Sequence, residues 1–231
     1  MMDIIISLKL APANKLKVIA QGSSNGIDTS FFTVQNIISK EELRNRWGIG
    51  TTDFVFVFVG RIVKDKGINE LVRSFVELKK SYNDIRLLLV GGFERELDPL
   101  AEDVEDKISK DSFIISVGCQ SDVRPFLVMA DVLAFPSYRE GFPNVVMQAG
   151  AMGLPSIVTD INGCNEIIQD GVNGKIIPPK NEKALYEAMK WMYEHHKTKV
   201  KEMAQRARPI IVERYEQKKV WEELLKEYKR L

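Results

Sequence analysis

Glu140 stands in a turn, and Gly141, Phe142, Pro143 and Asn144 lead from it into a segment of helical spacing that reaches Gly150. An ionised carboxylate there is an acceptor only, suited to the hydroxyl donors of a sugar. A helix start beside it offers N–H groups without intrahelical partners at the positive end of the helix dipole, where phosphate is attracted. Far upstream, Arg61 and Lys66 stand between an apolar run and another helical segment. Arg forks onto phosphate oxygens, and Lys adds a mobile point charge. Together these groups describe a pocket for a sugar attached to a diphosphate. Taken alone, Arg61 to Gly67 reads as a solvated basic turn and Glu140 as a helix-start carboxylate; the flanking Gly141 and Pro143 favour a functional Glu140.

These residues need a scaffold, and the sequence supplies an alternating one. Val55-Phe-Val-Phe-Val59 is a continuous apolar run of the kind a buried parallel strand shows. Strands are expected near 17–20, 54–59, 85–90, 113–117, 131–135, 155–159 and 174–177. Helices are expected near 40–47, 67–80, 98–108, 122–129, 143–152, 163–169, 181–195, 197–206 and 209–230. Strands alternating with helices imply right-handed crossovers and a parallel sheet, so the fold class is α/β. In such sheets ligands bind at the carboxyl ends of the strands, where Gly60-Arg61 and Glu140 fall. Leu87-Leu-Leu-Val90 feeds Gly91 and Gly92, which permit close backbone approach to a ligand; a tight strand-to-loop turn explains them equally well. No G-x-G-x-x-G dinucleotide fingerprint follows any strand.

Five motifs stand in order along the chain. They are Asn25-Gly26-Ile27-Asp28, then Gly60-Arg61 with Lys66-Gly67, then Pro136-Ser137-x-x-Glu140-Gly141-x-Pro143, Ala151-x-Gly153-x-Pro155 and Gly171-x-Asn173-Gly174. In this register the chain resembles the family 4 (group 1) glycosyltransferases over roughly residues 17 to 231. The resemblance implies a Rossmann-like, doubly wound parallel sheet, the C-terminal, donor-binding half of a GT-B fold, with the acceptor-binding domain missing from this chain. Residues 1–16 are then a remnant of the preceding domain or linker, and 17–208 the nucleotide-sugar-binding domain. Residues 209–231 are read as an amphipathic helix that would cross back to the missing domain.

The resemblance also assigns roles. Arg61 and Lys66 would neutralise the donor diphosphate as it leaves, and Glu140 would hold the transferred sugar. Backbone from Gly141, Phe142, Pro143 and Asn144 would contact the sugar or the β-phosphate, and Gly60, Gly91 and Gly92 would border the nucleotide. Val117, Gly118 and Cys119 would line the base pocket. The family's Glu-x7-Glu motif has its second carboxylate replaced here by Gln148, which keeps one acceptor for the ribose hydroxyls but no charge. The reaction implied is retaining transfer of a hexose-type sugar from a UDP- or GDP-sugar to an acceptor hydroxyl, in polysaccharide or glycolipid assembly. It needs no cofactor or metal and no protein nucleophile. This chain alone would be inactive. An alternative is a non-catalytic nucleotide-sugar-binding module acting with a separate partner chain. A Rossmann-type NAD-binding protein is disfavoured by the absent fingerprint. Nucleobase, sugar and acceptor stay open.

Composition is consistent with one such domain: 231 residues, 45% hydrophobic, 28% charged. A net charge of +1 argues against a nucleic-acid partner. Two cysteines, Cys119 and Cys164, are too few for a disulfide framework, and no apolar run nears the roughly 20 residues that span a bilayer. A cytoplasmic setting is expected, with the intact enzyme able to associate peripherally at the inner membrane face. His195 and His196 read as solvated, and Trp47, Trp191 and Trp221 as core or interface anchors.

Overall fold

A computed structural model describes residues 2–35 and 37–230 of the chain; Met1, Asn36 and Leu231 lie outside that description. Six strands form, β1 (Phe54–Val59), β2 (Ile85–Val90), β3 (Ile114–Ser116), β4 (Val132–Phe135), β5 (Ser156–Thr159) and β6 (Gly174–Ile177). Every residue of β1 is buried, which a strand apolar on both faces requires. It accordingly lies inside the sheet, pairing in parallel with β2 on one edge and β4 on the other. The full order is β3-β2-β1-β4-β5-β6, all parallel. This is the Rossmann-like, doubly wound order, and the strand sequence reverses direction between β1 and β4.

Ten helices surround the sheet: α1 (Met2–Ser7), α2 (Lys40–Arg46), α3 (Ile68–Lys79), α4 (Glu102–Lys110), α5 (Arg124–Met129), α6 (Asn144–Ala151), α7 (Cys164–Ile167), α8 (Glu182–Glu194), α9 (Lys199–Tyr215) and α10 (Gln217–Tyr228), all among the described residues. α3 packs against α8, and α6 against α9. The α3 residues Ile68, Leu71, Val72, Phe75 and Leu78 recur at helical spacing and are fully buried. Each such side chain stabilises the fold by about 1.5–3 kcal/mol relative to exposure.

Three sequence expectations fail for physical reasons. No strand forms at 17–20; Val18 is exposed, Ala20 has φ 50°, and Lys17 instead pairs with Glu227 of α10. The helix expected from 98 begins at Glu102, because Ala101 is held extended at φ −66°, ψ 140° with its N–H donated to Asn69 Oδ1. Asp98 is used instead as an acceptor, its backbone from Lys64 and its carboxylate from the Asp65 N–H.

The third failure concerns the C-terminal helices. The break expected at Pro209 falls at Glu216, and Pro209 lies inside α9. An internal proline costs about 3 kcal/mol. Here Met203, Ala207, Ile211 and Tyr215 bury one continuous face across it, and Arg208 donates to the carbonyls of Thr29, Phe32 and Ala151. Tertiary packing therefore carries the helix past the proline. At Glu216 the Asn25-Gly26-Ile27-Asp28 segment inserts: Ile27 N–H donates to Tyr215 O, and Gln217 N–H donates to Ile27 O. A Cβ on Gly26 would lie 2.6 Å from Tyr215 O, so only glycine fits there.

The histidines also differ from expectation. His195 stacks on Trp191 with ring centroids 4.5 Å apart, and His196 packs against Phe54 and Tyr193, so both are half-buried. Aromatic neighbours at the end of α8 draw them out of solvent.

Candidate functional site

The reversal between β1 and β4 marks the switch point at whose carboxyl ends open α/β sheets bind ligands, and here the loops after the two strands meet. After β1 comes a short turn, Lys64–Lys66, closed by Gly67 at φ 72°. After β4 comes the Pro136–Gly141 loop, running into α6. The two are stitched together by backbone. Tyr138 N–H donates to Asp65 O at 2.9 Å, and a Cβ on Gly67 would lie 2.2 Å from Pro136 O. Thr159 at the end of β5 donates through its hydroxyl to Ser137 O, anchoring the loop from the other side. Tyr138 Oη donates to Glu70 Oε1 at 2.6 Å, and burial foremost, with that bond, holds its phenol well above the ordinary range.

This clamp brings together two residues that are far apart in sequence. Lys66 Nζ donates to Glu140 Oε1 at 2.6 Å, and each side chain is only 15% exposed. The Phe135 ring lies beneath the ammonium at 6.0 Å. Cys164, at the start of α7, faces the same pair. Burial foremost, with the Glu140 charge adding, pushes its thiol up to about 12, so it is no nucleophile. Arg61 stands apart from the pair: 55% exposed, it donates to Glu94 Oε2 at 2.8 Å in the loop after β2.

The glycines divide by the work they do. A Cβ on Gly91 would lie 1.8 Å from Gly60 O, and Gly91 N–H donates to Gly118 O at 2.9 Å. Gly60 and Gly91 therefore let β1 and β2 end in backbone contact. Their freedom is spent on the fold, whatever they also border. At Gly92 the neighbour is the Cys119 sulfur, 2.8 Å from where a Cβ would be; Cys119 is exposed, with Val117 and Gly118 half-buried beside it. Gly141 is different, being exposed with nothing within 4 Å of an added Cβ.

The start of α6 is not capped by any side chain. Pro143, its N-cap, has no N–H, so the backbone donors of this turn are Gly141, Phe142 and Asn144. Pro143 is buried, and Phe142 meets Tyr215 edge-on at 5.5 Å. Gln148 lies further along α6, half-buried. Beneath the turn, a Cβ on Gly163 would meet Gly141 O at 2.6 Å. Asp65 and Tyr138 thus shape the site, although sequence reasoning gave them no role; their only signal was their place inside the motifs. Among the described residues no three His, Cys, Asp or Glu side chains are grouped to hold a metal ion, and no helix is long and apolar enough to cross a membrane.

A 510 Å³ hollow at the opposite, amino-terminal edge of the sheet, bordered by Phe54, Asp131 and Pro155, is remote from these groups.

Comparison with known proteins places this geometry in context. A family model described as "Glycosyl transferases group 1" matches residues 39–209. The capsular polysaccharide biosynthesis glycosyltransferase CapM of Staphylococcus aureus is 32% identical over 221 residues, which cover 95% of this chain and 57% of CapM. The crystal structure of Anabaena Alr3699/HepE in complex with UDP superposes with a TM-score of 0.88 at 21% identity, covering all of this chain and 61% of that one. The C-terminal domain of a glycosyl transferase group 1 family protein (LpcC) from Francisella tularensis matches at TM-score 0.71 and 23% identity, over 81% of this chain and 97% of that domain. The fold is thus the one seen in GT-B glycosyltransferases, and the chain spans about three fifths of the length of CapM and HepE.

Proposed function

The chain belongs to the group 1 glycosyl transferases, and on that premise we propose that it is the nucleotide-sugar-binding half of a retaining hexosyltransferase. The observation that carries this reading is the Lys66–Glu140 contact of 2.6 Å beyond the carboxyl ends of β1 and β4. It sets a cation for phosphate and an acceptor for sugar hydroxyls side by side, at the edge where such sheets bind ligands.

In this reading the donor diphosphate lies between Lys66, Arg61 and the uncapped start of α6. Lys66 and Arg61 neutralise charge that grows on the departing phosphate. Removing one such stabilising group from a transition state costs about 3–4 kcal/mol. Glu140 accepts from the sugar's hydroxyls and fixes the anomeric carbon for attack from the face the phosphate leaves, with no protein nucleophile and no metal. Gln148 accepts from the ribose, and Val117 to Cys119 border the base. UDP is the first candidate nucleotide, because HepE was solved with UDP, and GDP is the second. Polysaccharide assembly is the first candidate setting, on the relationship to CapM. Alone, the chain is proposed to bind donor without transferring sugar.

Two substitutions test the assignments. Arg61→Ala should weaken UDP binding about tenfold, the worth of one charge-assisted bond, and leave uridine binding unchanged. Equal losses for both in calorimetry would remove Arg61 from the phosphate site. Gln148→Glu should hold or tighten UDP affinity by restoring an anionic acceptor for the ribose. A large loss would show that the amide N–H groups are what the ligand uses.

A further inference from the structure

The side chains of Lys66 and Glu140 are each other's hydrogen-bond partners, and among the described residues neither side chain has another. Both are 15% exposed, so little water is available to replace either partner. A charge in that position that loses its counter-ion keeps most of its desolvation cost. Yet a bound donor asks Lys66 to face phosphate and Glu140 to face sugar. Resting on the donor-site reading above, we propose that the Lys66–Glu140 ion pair is exchanged when donor binds, so that the site favours the loaded nucleotide-sugar over the spent nucleoside diphosphate.

The exchange follows from charge and donor count. A sugar nucleotide supplies phosphate oxygens for Lys66 and hydroxyl donors for Glu140, so both buried charges are re-partnered. A free diphosphate supplies only the first. It either competes with Glu140 for the ammonium or leaves the carboxylate unpartnered beside added negative charge. Once the sugar has been transferred, its hydroxyls no longer donate to Glu140. The carboxylate then draws Lys66 back and loosens the nucleotide. The clamp of Asp65, Tyr138 and Gly67 holds the two turns at fixed spacing, so the exchange needs only side-chain movement.

Glu140→Gln tests this on the whole chain, titrated with UDP and UDP-glucose, with GDP and GDP-mannose alongside. The substitution keeps size and one acceptor but removes the charge that competes for Lys66. The expected result is opposite shifts: UDP or GDP tightens about tenfold and the matching sugar nucleotide loosens by a similar factor. In a Lys66→Met background the same substitution should tighten free nucleotide binding clearly less, leaving only the relief of repulsion. A benefit that persists undiminished there would be simple charge repulsion and would overturn the exchange. So would free nucleotide binding that Glu140→Gln leaves unchanged or weakens, while the parent's own binding of UDP or GDP would still uphold the donor site. If the parent binds none of the four ligands, the donor-site reading fails and the exchange falls with it. Should Glu140→Gln not fold, Glu140→Asp lengthens the ion pair while keeping its charge, and tighter UDP binding is again expected; unchanged binding overturns the proposal.

Discussion

Lys66→Ala is expected to weaken nucleoside diphosphate binding by roughly 2–4 kcal/mol, and nucleoside binding hardly at all. The ammonium is enclosed, only 15% exposed, and held against Glu140 by the turn that Asp65 and Gly67 fix. An enclosed cation is screened little by salt, so its attraction for phosphate is stronger than that of exposed Arg61. Calorimetry with UDP and uridine reads the difference directly. Truncation also strands Glu140, so urea denaturation should show a lower midpoint unless UDP-sugar is present. A Lys66→Ala protein that binds UDP as the parent does would remove the residue from the phosphate site.

Gly91→Ala is expected to cost stability by about 3 kcal/mol or more, and donor binding with it. The added Cβ would lie 1.8 Å from Gly60 O, and neither backbone can retreat. Gly60 N–H is bonded to Val90 O, Gly91 N–H to Gly118 O, and both strands belong to the parallel ladder. The urea midpoint should fall with an unchanged slope, the mark of lost stability rather than altered compactness. Gly141→Ala is the control: with nothing within 4 Å, its midpoint should stay at the parental value. An unchanged midpoint for Gly91→Ala would mean that the strand ends yield where the geometry says they cannot.

How much of this was legible beforehand depended on whether local or distant residues decide the outcome. The central strand was readable because Val55 to Val59 is apolar at every position, a pattern only a doubly covered strand tolerates. The site edge followed from the same source, since Gly60 and Pro136 directly follow the ends of two buried strands. Pro209 misled because its cost is local, whereas the gain from Ile211, Tyr215 and Arg208 is tertiary. Residues 17–20 looked like a strand by composition, but a strand exists only where a neighbour can pair with it, and the described sheet ends at β3 and β6. The Arg61–Glu94 ion pair could not be read from the spacing of Arg61 to Lys66, because the loop after β2 supplies the partner. The Lys66–Glu140 pairing was equally hidden, being made by the stitching of two turns through Tyr138 and Gly67.

The central claim is that the switch point at the carboxyl ends of β1 and β4 is a nucleoside diphosphate-sugar site, and titration of this chain with UDP, GDP, ADP, CMP and NAD, without added metal, tests it most directly. Selective binding of one nucleoside diphosphate, UDP first among them, is the predicted result. Binding of NAD alone, or of none of the five, would contradict the account.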